Sequence, residues 1–382
     1  MQEDRKIILF SNTDWYLYNF RLSLANALKQ NGYDVILVAP AGSYQKRLVN
    51  LGFRFVPLNF PIWSANPISE LQTIIRIANI YRKEKPLLVH HFTLKCVLYG
   101  SFAAKINRNI KVVNSVTGIS HILRDPGMRA KIFSPLIKAL YRFVLSSNES
   151  RVIFQNTEDR DYFVKNNLVK EYLTKIIRGS GVNCEIFKPT NSLNRKKNKR
   201  VKILFASRML KEKGIYELIE AAKILKKKGT KAEFLFAGDI YPDNPSSLTQ
   251  EDVARIKSEG IVEYLGHVED MKQLLNKCDI VVLPSYSEGT PRILIEAAAM
   301  EKPIVATDIA GHRGLIQHNI NGLLVPTKNV KALVEALIKL IENEELRTTM
   351  GKEGREIVLK EFDEKIVIEK TLAVYNELLH LN

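Results

Sequence analysis

The chain has 382 residues, 46% of them apolar, which is enough to bury large cores and predicts two domains. No apolar run approaches the length of a membrane span, MQEDRK is not a signal peptide, and three scattered cysteines exclude a disulfide framework and predict a reduced, cytoplasmic protein. The formal charge of +16 implies an anionic partner, which could be nucleic acid, a membrane surface or a phosphorylated substrate.

Apolar, β-branched runs alternate with helical segments along the first half of the chain, which predicts a parallel α/β sheet. A first strand, KIILFS, precedes a helix, NFRLSLANALKQNG, that ends at Gly32. The series then continues with the predicted strands DVILVAP, LLVHHF, KVVNSVTG, RVIFQN and TKIIRGSGV.

The polar, basic segment TNSLNRKKNKR has no apolar periodicity and is predicted to be a linker; contact with nucleic acid is the alternative. A second α/β series follows it, from VKILFAS to NGLLVP, and two helical segments close the chain. We therefore expect a first domain over residues 1–188, a second over 189–361, and a last helix over 362–382.

The stretch SEGTPRILIEAAAM carries two glutamates, Glu288 and Glu296, on either side of a predicted helix start. Thr290 is expected to cap this helix and Pro291 to be its first residue, directly after the buried strand IVVLPSY. The free N–H groups of such a helix start favour a phosphate, and carboxylates accept hydrogen bonds from sugar hydroxyls. The spacing suits a nucleotide sugar, although an ordinary strand–turn–helix with two solvated acids would look the same.

Four blocks in the same order resemble the retaining family 4 glycosyltransferases, whose E-x7-E signature matches EGTPRILIE. The others are ILFASRMLKEKGIYELIEAAKIL, FLFAGD and VEYLGHVEDMKQLLNKCDIVVLPSY. The resemblance covers essentially the whole chain and is closest to the branch that builds bacterial surface polysaccharides on a lipid carrier. It implies an α/β fold of GT-B architecture, with two Rossmann-like domains facing a central cleft and the last helix packing back on the first, acceptor-binding domain.

The resemblance also implies roles for individual residues in the second domain. Arg208 and Lys213 match the basic pair that faces the donor diphosphate, Glu288 is expected to hold the transferred sugar, and Glu296 the ribose. The remaining expected donor-binding residues are Gly238, Gly266, Val268, Gly289, Thr290 and Pro291.

In the first domain, many relatives carry a histidine near the transferred sugar, shortly after the strand VVNSV. The matching position here is Thr117, followed by Gly118, with His121 a few residues later. We take these three residues as the catalytic candidates of this domain. The departure from histidine leaves open which group meets the sugar hydroxyls.

Asp159 and Asp161 form a D-x-D sequence, which binds a metal in other glycosyltransferases. Here they follow Thr157, a predicted helix cap, and acids are common in a first helical turn. We therefore expect no metal site and no cofactor beyond the donor substrate.

Residues 121–147 form a basic amphipathic segment, HILRDPGMRAKIFSPLIKALYRFVLSS. Such a segment can lie on an anionic bilayer, with each surface cation contributing about 1 kcal/mol. A core-facing helix with a basic outer face is the alternative. Because a lipid-linked acceptor would bring the first domain to the membrane, we expect docking on the inner face of the cell membrane.

The sequence therefore predicts a hexosyltransferase that moves a sugar from a UDP-sugar to a polyprenyl-diphosphate-linked saccharide, in the synthesis of lipopolysaccharide O-antigen, capsule or a related glycan. One alternative is a nucleotide-sugar 2-epimerase, which shares the fold and the donor but needs no acceptor. A nucleic-acid-binding module is the other alternative. It would need aromatic residues among the basic ones, which RKKNKR lacks, so we expect no nucleic-acid partner.

Overall fold

The computed structural model describes residues 5–58, 66–107, 109–118, 128–190, 200–242 and 244–380. The chain divides into two compact units, one formed by Met1–Ser180 with Lys365–Asn382 and the other by Gly181–Glu364. Each unit is an α/β domain with its own parallel sheet. Residues 191–199 of the predicted linker, TNSLNRKKNKR, lie outside the described residues.

The sheet of the first unit has seven parallel strands in the order β3-β2-β1-β4-β5-β6-β7. The strands are β1 (Lys6–Phe10), β2 (Asp34–Ala39), β3 (Arg54–Pro57), β4 (Leu88–Phe92), β5 (Lys111–Val116), β6 (Ser150–Phe154) and β7 (Thr174–Ile176). Because β4 pairs with β1 on the side opposite to β2, the chain changes direction across the sheet between β1 and β4. Ligands of open α/β sheets bind outside the carboxyl ends of the strands at such a switch point.

The helices cover both faces of this sheet and bury separate apolar clusters against it. They are α1 (Asp14–Tyr16), α2 (Leu22–Gln30), α3 (Gln45–Asn50), α4 (Pro67–Glu84), α5 (Leu94–Ile106), α6 (Met128–Val144) and α7 (Thr157–Lys165). A π-helical turn, Leu17–Arg21, joins α1 to α2. The predicted first helix thus begins earlier than Asn19, because the hydroxyl of Thr13 accepts the N–H of Tyr16 at 3.1 Å and caps α1.

The second unit contains a six-stranded parallel sheet in the order β10-β9-β8-β11-β12-β13. Its strands are β8 (Val201–Ala206), β9 (Ala232–Ala237), β10 (Glu263–Gly266), β11 (Ile280–Leu283), β12 (Ile304–Thr307) and β13 (Gly322–Val325). Its helices are α8 (Ile215–Lys227), α9 (Gln250–Glu259), α10 (Met271–Lys277), α11 (Arg292–Ala299), α12 (Ala310–Arg313), α13 (Val330–Glu342) and α14 (Glu344–Glu361). One buried apolar cluster includes residues from all six strands or their immediate neighbours, and the switch point lies between β8 and β11.

The last helix, α15 (Glu364–Leu379), belongs to the first unit from Lys365 onward. Tyr375 and Val374 are buried in the apolar cluster of that unit. The segment after Ser180 pairs with the end of the second unit, since Val182 N–H donates to Phe362 O at 3.0 Å and Glu364 N–H donates to Val182 O at 2.9 Å. The first unit therefore ends before residue 188, the boundary expected from the sequence.

Candidate functional site

The predicted donor residues of the second unit flank its switch point. A single turn of 3₁₀ helix, Lys211–Lys213, follows β8, and the loop containing Glu288 follows β11. Because the carboxyl ends of these neighbouring strands meet at one edge of the sheet, residues 75 positions apart come into contact. The ammonium of Lys213 lies 2.5 Å from Glu288 Oε1.

Gly214 sets the position of Lys213. Its φ is +75°, in the region that favours glycine, and a Cβ there would overlap the carbonyl oxygen of Pro284 at the end of β11. The two loops therefore pack backbone against backbone. This close approach holds Lys213 beside the Glu288 loop with only 9% of its side chain exposed.

The Glu288 carboxylate is held by charge and by hydrogen bonds. Its Oε1 also accepts from Ser285 Oγ at 2.9 Å, and 14% of the side chain is exposed. Burial would raise the pKa of Glu288, but Lys213, then His312 and Ser285, outweigh it and hold the pKa below the usual value of 4.5. Glu288 is therefore an anion at neutral pH, positioned to accept hydrogen bonds.

A buried polar network, which the sequence analysis missed, supports this loop from β12. The hydroxyl of Thr307 donates to the carbonyl oxygen of Ser285, and His312 Nδ1 lies 2.8 Å from Thr307 O. Since a carbonyl only accepts, Nδ1 carries the proton. The buried Nε2, which has no hydrogen-bond partner in the described part of the chain, is then an acceptor. Burial lowers the pKa of His312, although Glu288 opposes the shift. The ring is therefore expected to be neutral.

The helix after Glu288 begins one residue later than expected. Pro291 has the helical φ of −69° but an extended ψ of 122°, so Pro291 rather than Thr290 is the N-cap and Arg292 is the first helical residue. The buried Glu296 accepts from Arg292 Nε at 2.8 Å. Burial raises the pKa of Glu296, and Arg292 only partly offsets it.

Arg208 lies on the loop after β8, where its side chain is exposed. Its guanidinium carbon lies 5.9 Å from the ring centroid of Tyr241, which follows β9. The loop after β9 is joined to the end of β10 because Gly238 N–H donates to Gly266 O at 2.7 Å. Val268 is half-buried beside the same loops.

A cavity of about 450 Å³ lies beside these loops at the edge of the sheet. Its walls carry both aromatic rings and polar groups, which suits a small polar ligand rather than an apolar one. The lining residues are Asp239, Ile240, Tyr241, Gln250, Val253, Lys257 and Tyr264. Glu288, Lys213 and Glu296 do not line this cavity. Arg208 does not line it either, but its guanidinium lies over the ring of Tyr241, which does.

Two of the first-domain candidates lie directly after β5, at the carboxyl edge of the first sheet. Thr117 and Gly118 are half-buried there, and Gly118 has a φ of +138°. His121 lies outside the described residues.

The D-x-D sequence lies at the start of α7. Asn156, rather than Thr157, is the cap, because its side chain accepts the N–H of Asp159 at 2.7 Å. Asp159 is buried against Asn156, whereas Asp161 pairs with Arg160 at 2.7 Å. Over the ranges that the structure covers, no three His, Cys, Asp or Glu side chains are grouped closely enough to hold a metal ion.

Most of the basic amphipathic segment, residues 121–147, forms α6. Residues 121–127 of this segment, and the side chains of residues 128–133, lie outside the described part of the chain. Lys138 donates to Asn166 Oδ1 at 2.9 Å, and Arg142 donates to Asn167 O at 2.9 Å. Leu136 and Phe143 are exposed. No described helix is long and apolar enough to cross a membrane.

The second unit thus combines a buried cation, a buried anion and a helix start at one switch point. Cations and unpaired helical N–H groups bind phosphates. A carboxylate beside them accepts hydrogen bonds from hydroxyl groups. The arrangement can hold a ligand that carries both phosphates and hydroxyls.

Two family profiles match the chain, "Glycosyl transferases group 1" over residues 189–357 and "Glycosyl transferase 4-like" over 6–156. A Campylobacter jejuni protein, "N,N'-diacetylbacillosaminyl-diphospho-undecaprenol alpha-1,3-N-acetylgalactosaminyltransferase", is 30% identical over 98% of this chain and 99% of its own. An Escherichia coli protein, "UDP-Gal:alpha-D-GlcNAc-diphosphoundecaprenol alpha-1,3-galactosyltransferase", is 23% identical over 82% of this chain and 81% of its own.

The fold agrees with solved glycosyltransferases. HepE from Anabaena in complex with UDP is 21% identical, with a TM-score of 0.76 over 97% of this chain and 100% of that one. WaaG, a glycosyltransferase involved in lipopolysaccharide biosynthesis, is 14% identical, with a TM-score of 0.70 over 97% of this chain and 98% of that one. The predicted fold class is confirmed, and the chain belongs to the family 4 glycosyltransferases of GT-B fold.

Proposed function

We propose that this glycosyltransferase moves a sugar from a UDP-sugar to a hydroxyl of a lipid-linked saccharide, in the synthesis of a bacterial surface polysaccharide. The observation that carries the proposal is the 30% identity along nearly the whole chain to an enzyme whose name states a diphospho-undecaprenol acceptor. A second relative names both a UDP-sugar and an acceptor of the same kind.

The donor is assigned to the second unit. Its diphosphate would meet Arg208, Lys213 and the N–H groups at the start of α11, with Gly289, Thr290 and Pro291 forming the approach. Glu296 would hold the ribose, and the joined loops at Gly238 and Gly266, with Val268, would border the base. The structure of HepE with UDP supports uridine as the base.

The chemistry follows from where charge develops. When the bond between the anomeric carbon and the diphosphate breaks, negative charge grows on the departing phosphate. Arg208 and Lys213 would stabilise it, and preorganised donors of this kind lower a barrier by roughly 3–4 kcal/mol each. Glu288 would accept a hydrogen bond from a hydroxyl of the transferred sugar while it keeps Lys213 in place.

We assign the stabilising role to these two cations and not to a metal ion. Family resemblance supports retention of the anomeric configuration. In the first unit Thr117, Gly118 and His121 stay the candidates for contact with the sugar, and none of them is proposed as a covalent nucleophile.

The acceptor is assigned to the first unit, with the protein at the inner face of the cell membrane. The exposed apolar side chains of Leu136 and Phe143 on α6 support contact with lipid. Lys138 and Arg142 donate hydrogen bonds to residues 166–167 of the protein itself. We therefore assign the attraction to anionic lipid to the other basic residues of the segment.

The test is a transfer assay with a panel of UDP-sugars and a short polyprenyl-diphosphate saccharide, in which mass spectrometry identifies the product. We expect acceptor mass to increase by one sugar, with UDP released in equal amount. Consumption of UDP-sugar at the same rate without acceptor would contradict the proposal and favour the epimerase.

A further inference from the structure

The first unit has a switch point of its own, between β1 and β4, and an arginine is buried there. Arg21 ends the π-helical turn that follows β1 and is only 6% exposed. Its guanidinium carbon lies 4.3 Å from the ring centroid of Phe92, the last residue of β4. Short π-helical segments occur frequently at functional sites.

Within the described ranges, no carboxylate pairs with this guanidinium. One of its terminal nitrogens donates to Tyr16 Oη at 2.8 Å, and its guanidinium carbon lies over the rings of Phe92 and Tyr16, 4.3 Å and 5.4 Å from their centroids. The Nε atom of Arg21 is buried and has no hydrogen-bond partner among the residues that the structure describes. A buried cation without a counter-ion is costly, and an arriving anion would remove that cost.

Two titratable groups that feel the charge of this arginine, His90 and Tyr375, are neutral. Burial, and then the charge of Arg21, hold the pKa of His90 well below its usual value, and burial raises the pKa of Tyr375. His90 exchanges hydrogen bonds with Tyr375 Oη at 2.6 Å and with Ser115 Oγ at 2.7 Å. These contacts give each ring nitrogen of His90 a hydrogen-bond partner, but they bring no negative charge to Arg21.

A helix start lies beside the guanidinium. Thr93 follows Phe92 and is the N-cap of α5, a helix of 13 residues, yet its side chain makes no capping hydrogen bond. Its φ of +74° is one that β-branched residues avoid, and such strain clusters at ligand sites. Because α5 begins two residues after β4 ends, its first N–H groups lie at the same edge of the sheet as Arg21. The dipole of the helix favours an anion there.

We propose that Arg21 and the first turn of α5 form an anion subsite that binds a phosphoryl group of the acceptor. The inference rests on the proposed function, because the acceptor named there carries a diphosphate next to its sugars. The guanidinium would supply a charge-assisted hydrogen bond through Nε, and the helix start would supply backbone N–H groups.

Direct binding tests the subsite without any transfer. Inorganic pyrophosphate is titrated into the full-length protein by calorimetry, at constant ionic strength and with saturating UDP to fill the nucleotide site. Arg21→Met should weaken pyrophosphate binding tenfold to a hundredfold, the range of one charge-assisted hydrogen bond. The pyrophosphate affinity of Arg21→Lys should lie between those of wild type and Arg21→Met, because lysine keeps the charge but not the planar set of N–H donors. Arg82→Met, which removes an exposed arginine of the same unit, should bind like wild type.

Acceptor selectivity separates this role from a purely structural one. Arg21→Met should lower kcat/KM tenfold or more for a diphosphate-linked saccharide, less than threefold for a neutral glycoside of the same sugar, and leave the donor KM unchanged. Equal losses on both acceptors, or equal pyrophosphate affinity in wild type and Arg21→Met, would overturn the subsite. If the protein transferred no sugar, the pyrophosphate titration would still decide, so the two proposals fail separately.

Discussion

Lys213 and Glu288 form a buried ion pair, with 2.5 Å between Nζ and Oε1, across the switch point of the second sheet. The pair joins two of the four sequence blocks that carry the family resemblance. Each partner holds the other in a fixed place, and each keeps hydrogen-bonding capacity for a ligand. The first prediction concerns how this pair differs from Glu296, which pairs with Arg292 on its own helix.

Glutamine in place of each glutamate should separate their roles. Glu296 is assigned to the ribose, so Glu296→Gln should weaken UDP and UDP-sugar by similar factors, roughly tenfold to a hundredfold. Glu288 is assigned to the transferred sugar, so Glu288→Gln should weaken UDP-sugar and lower turnover. Its UDP affinity should stay within threefold of wild type, because Lys213 keeps its charge.

The measurement is calorimetric affinity for two ligands in three proteins. If Glu288→Gln weakens UDP as much as Glu296→Gln does, both carboxylates serve the nucleotide or the fold, and the division between them is wrong.

The same two carboxyl groups should affect stability in opposite directions as pH changes. The pKa of Glu288 is lowered, so its contribution to stability is present above about pH 4.5 and is lost as pH falls through its folded-state pKa. The pKa of Glu296 is raised, so its contribution is present below about pH 4.5 and is lost as pH rises through its folded-state pKa.

Urea unfolding of the ligand-free protein between about pH 3 and pH 7 measures this. From low to high pH, the stability of Glu296→Gln relative to wild type should rise, and that of Glu288→Gln should fall. Glu342→Gln, on an exposed residue, controls for the loss of one surface charge. Parallel curves for the two variants would contradict the assigned pKa directions.

Turnover should not need a divalent metal, because Arg208 and Lys213 are assigned the charge that a metal would supply. Excess EDTA should leave the rate within twofold, and Asp159→Asn with Asp161→Asn should retain activity per folded molecule. The stability of the double variant is checked separately, since Asp159 bonds with Asn156 at the start of α7. Loss of activity with EDTA and its return with manganese would show that the assignment is wrong.

Vesicle binding should depend on both apolar and basic residues of the predicted membrane segment. Leu136→Ser with Phe143→Ser should weaken binding to all vesicles, because it removes exposed apolar side chains. Arg129→Ser with Lys131→Ser should weaken binding to anionic vesicles only, and salt should do the same. Lys138 is left unchanged, since it donates to Asn166.

Sedimentation with anionic and neutral vesicles measures the preference, and UDP affinity serves as the control. Equal binding of the wild type to neutral and anionic vesicles would contradict the electrostatic part of docking.

Local patterns were enough to predict the α/β fold and the strand–turn–helix that carries Glu288 and Glu296, whereas Lys213 was identified only through the family resemblance, and the roles of all three residues stay predictions. Alternating strands and helices are visible in a single sequence, as is a proline at a helix start. The partners of those residues were not predictable in this way. His312 and Thr307 reach the Glu288 loop only because β12 pairs with β11, and nothing in their spacing indicates it.

Two of the misplaced helix starts, those of α7 and α11, show the limit of capping rules. Asn156 and Thr157 are both good caps, and only the backbone conformation decides between them. Arg21 had no sequence signal, because the π-helical turn that aims it inward does not follow the usual helical period.

The close contact at Gly214 gives a test of how the Lys213–Glu288 pair is held. Gly214 and Gly229 both have positive φ, +75° and +72°, and both lie at an end of α8. A Cβ at Gly214 would overlap the carbonyl oxygen of Pro284, whereas a Cβ at Gly229 would meet nothing within 4 Å. Alanine at either position costs about 1 kcal/mol for the backbone conformation alone.

Gly229→Ala should therefore lower the free energy of unfolding by only about 1 kcal/mol, with UDP-sugar affinity and turnover unchanged. Gly214→Ala should lose about 1–3 kcal/mol more, because the loops after β8 and β11 must separate. That separation moves Lys213 away from Glu288, so UDP-sugar affinity and turnover should fall at least tenfold in protein that is still folded. Urea unfolding and calorimetry on the two variants measure both effects. If Gly214→Ala loses no more stability and activity than Gly229→Ala, the contact between the loops does not hold the ion pair.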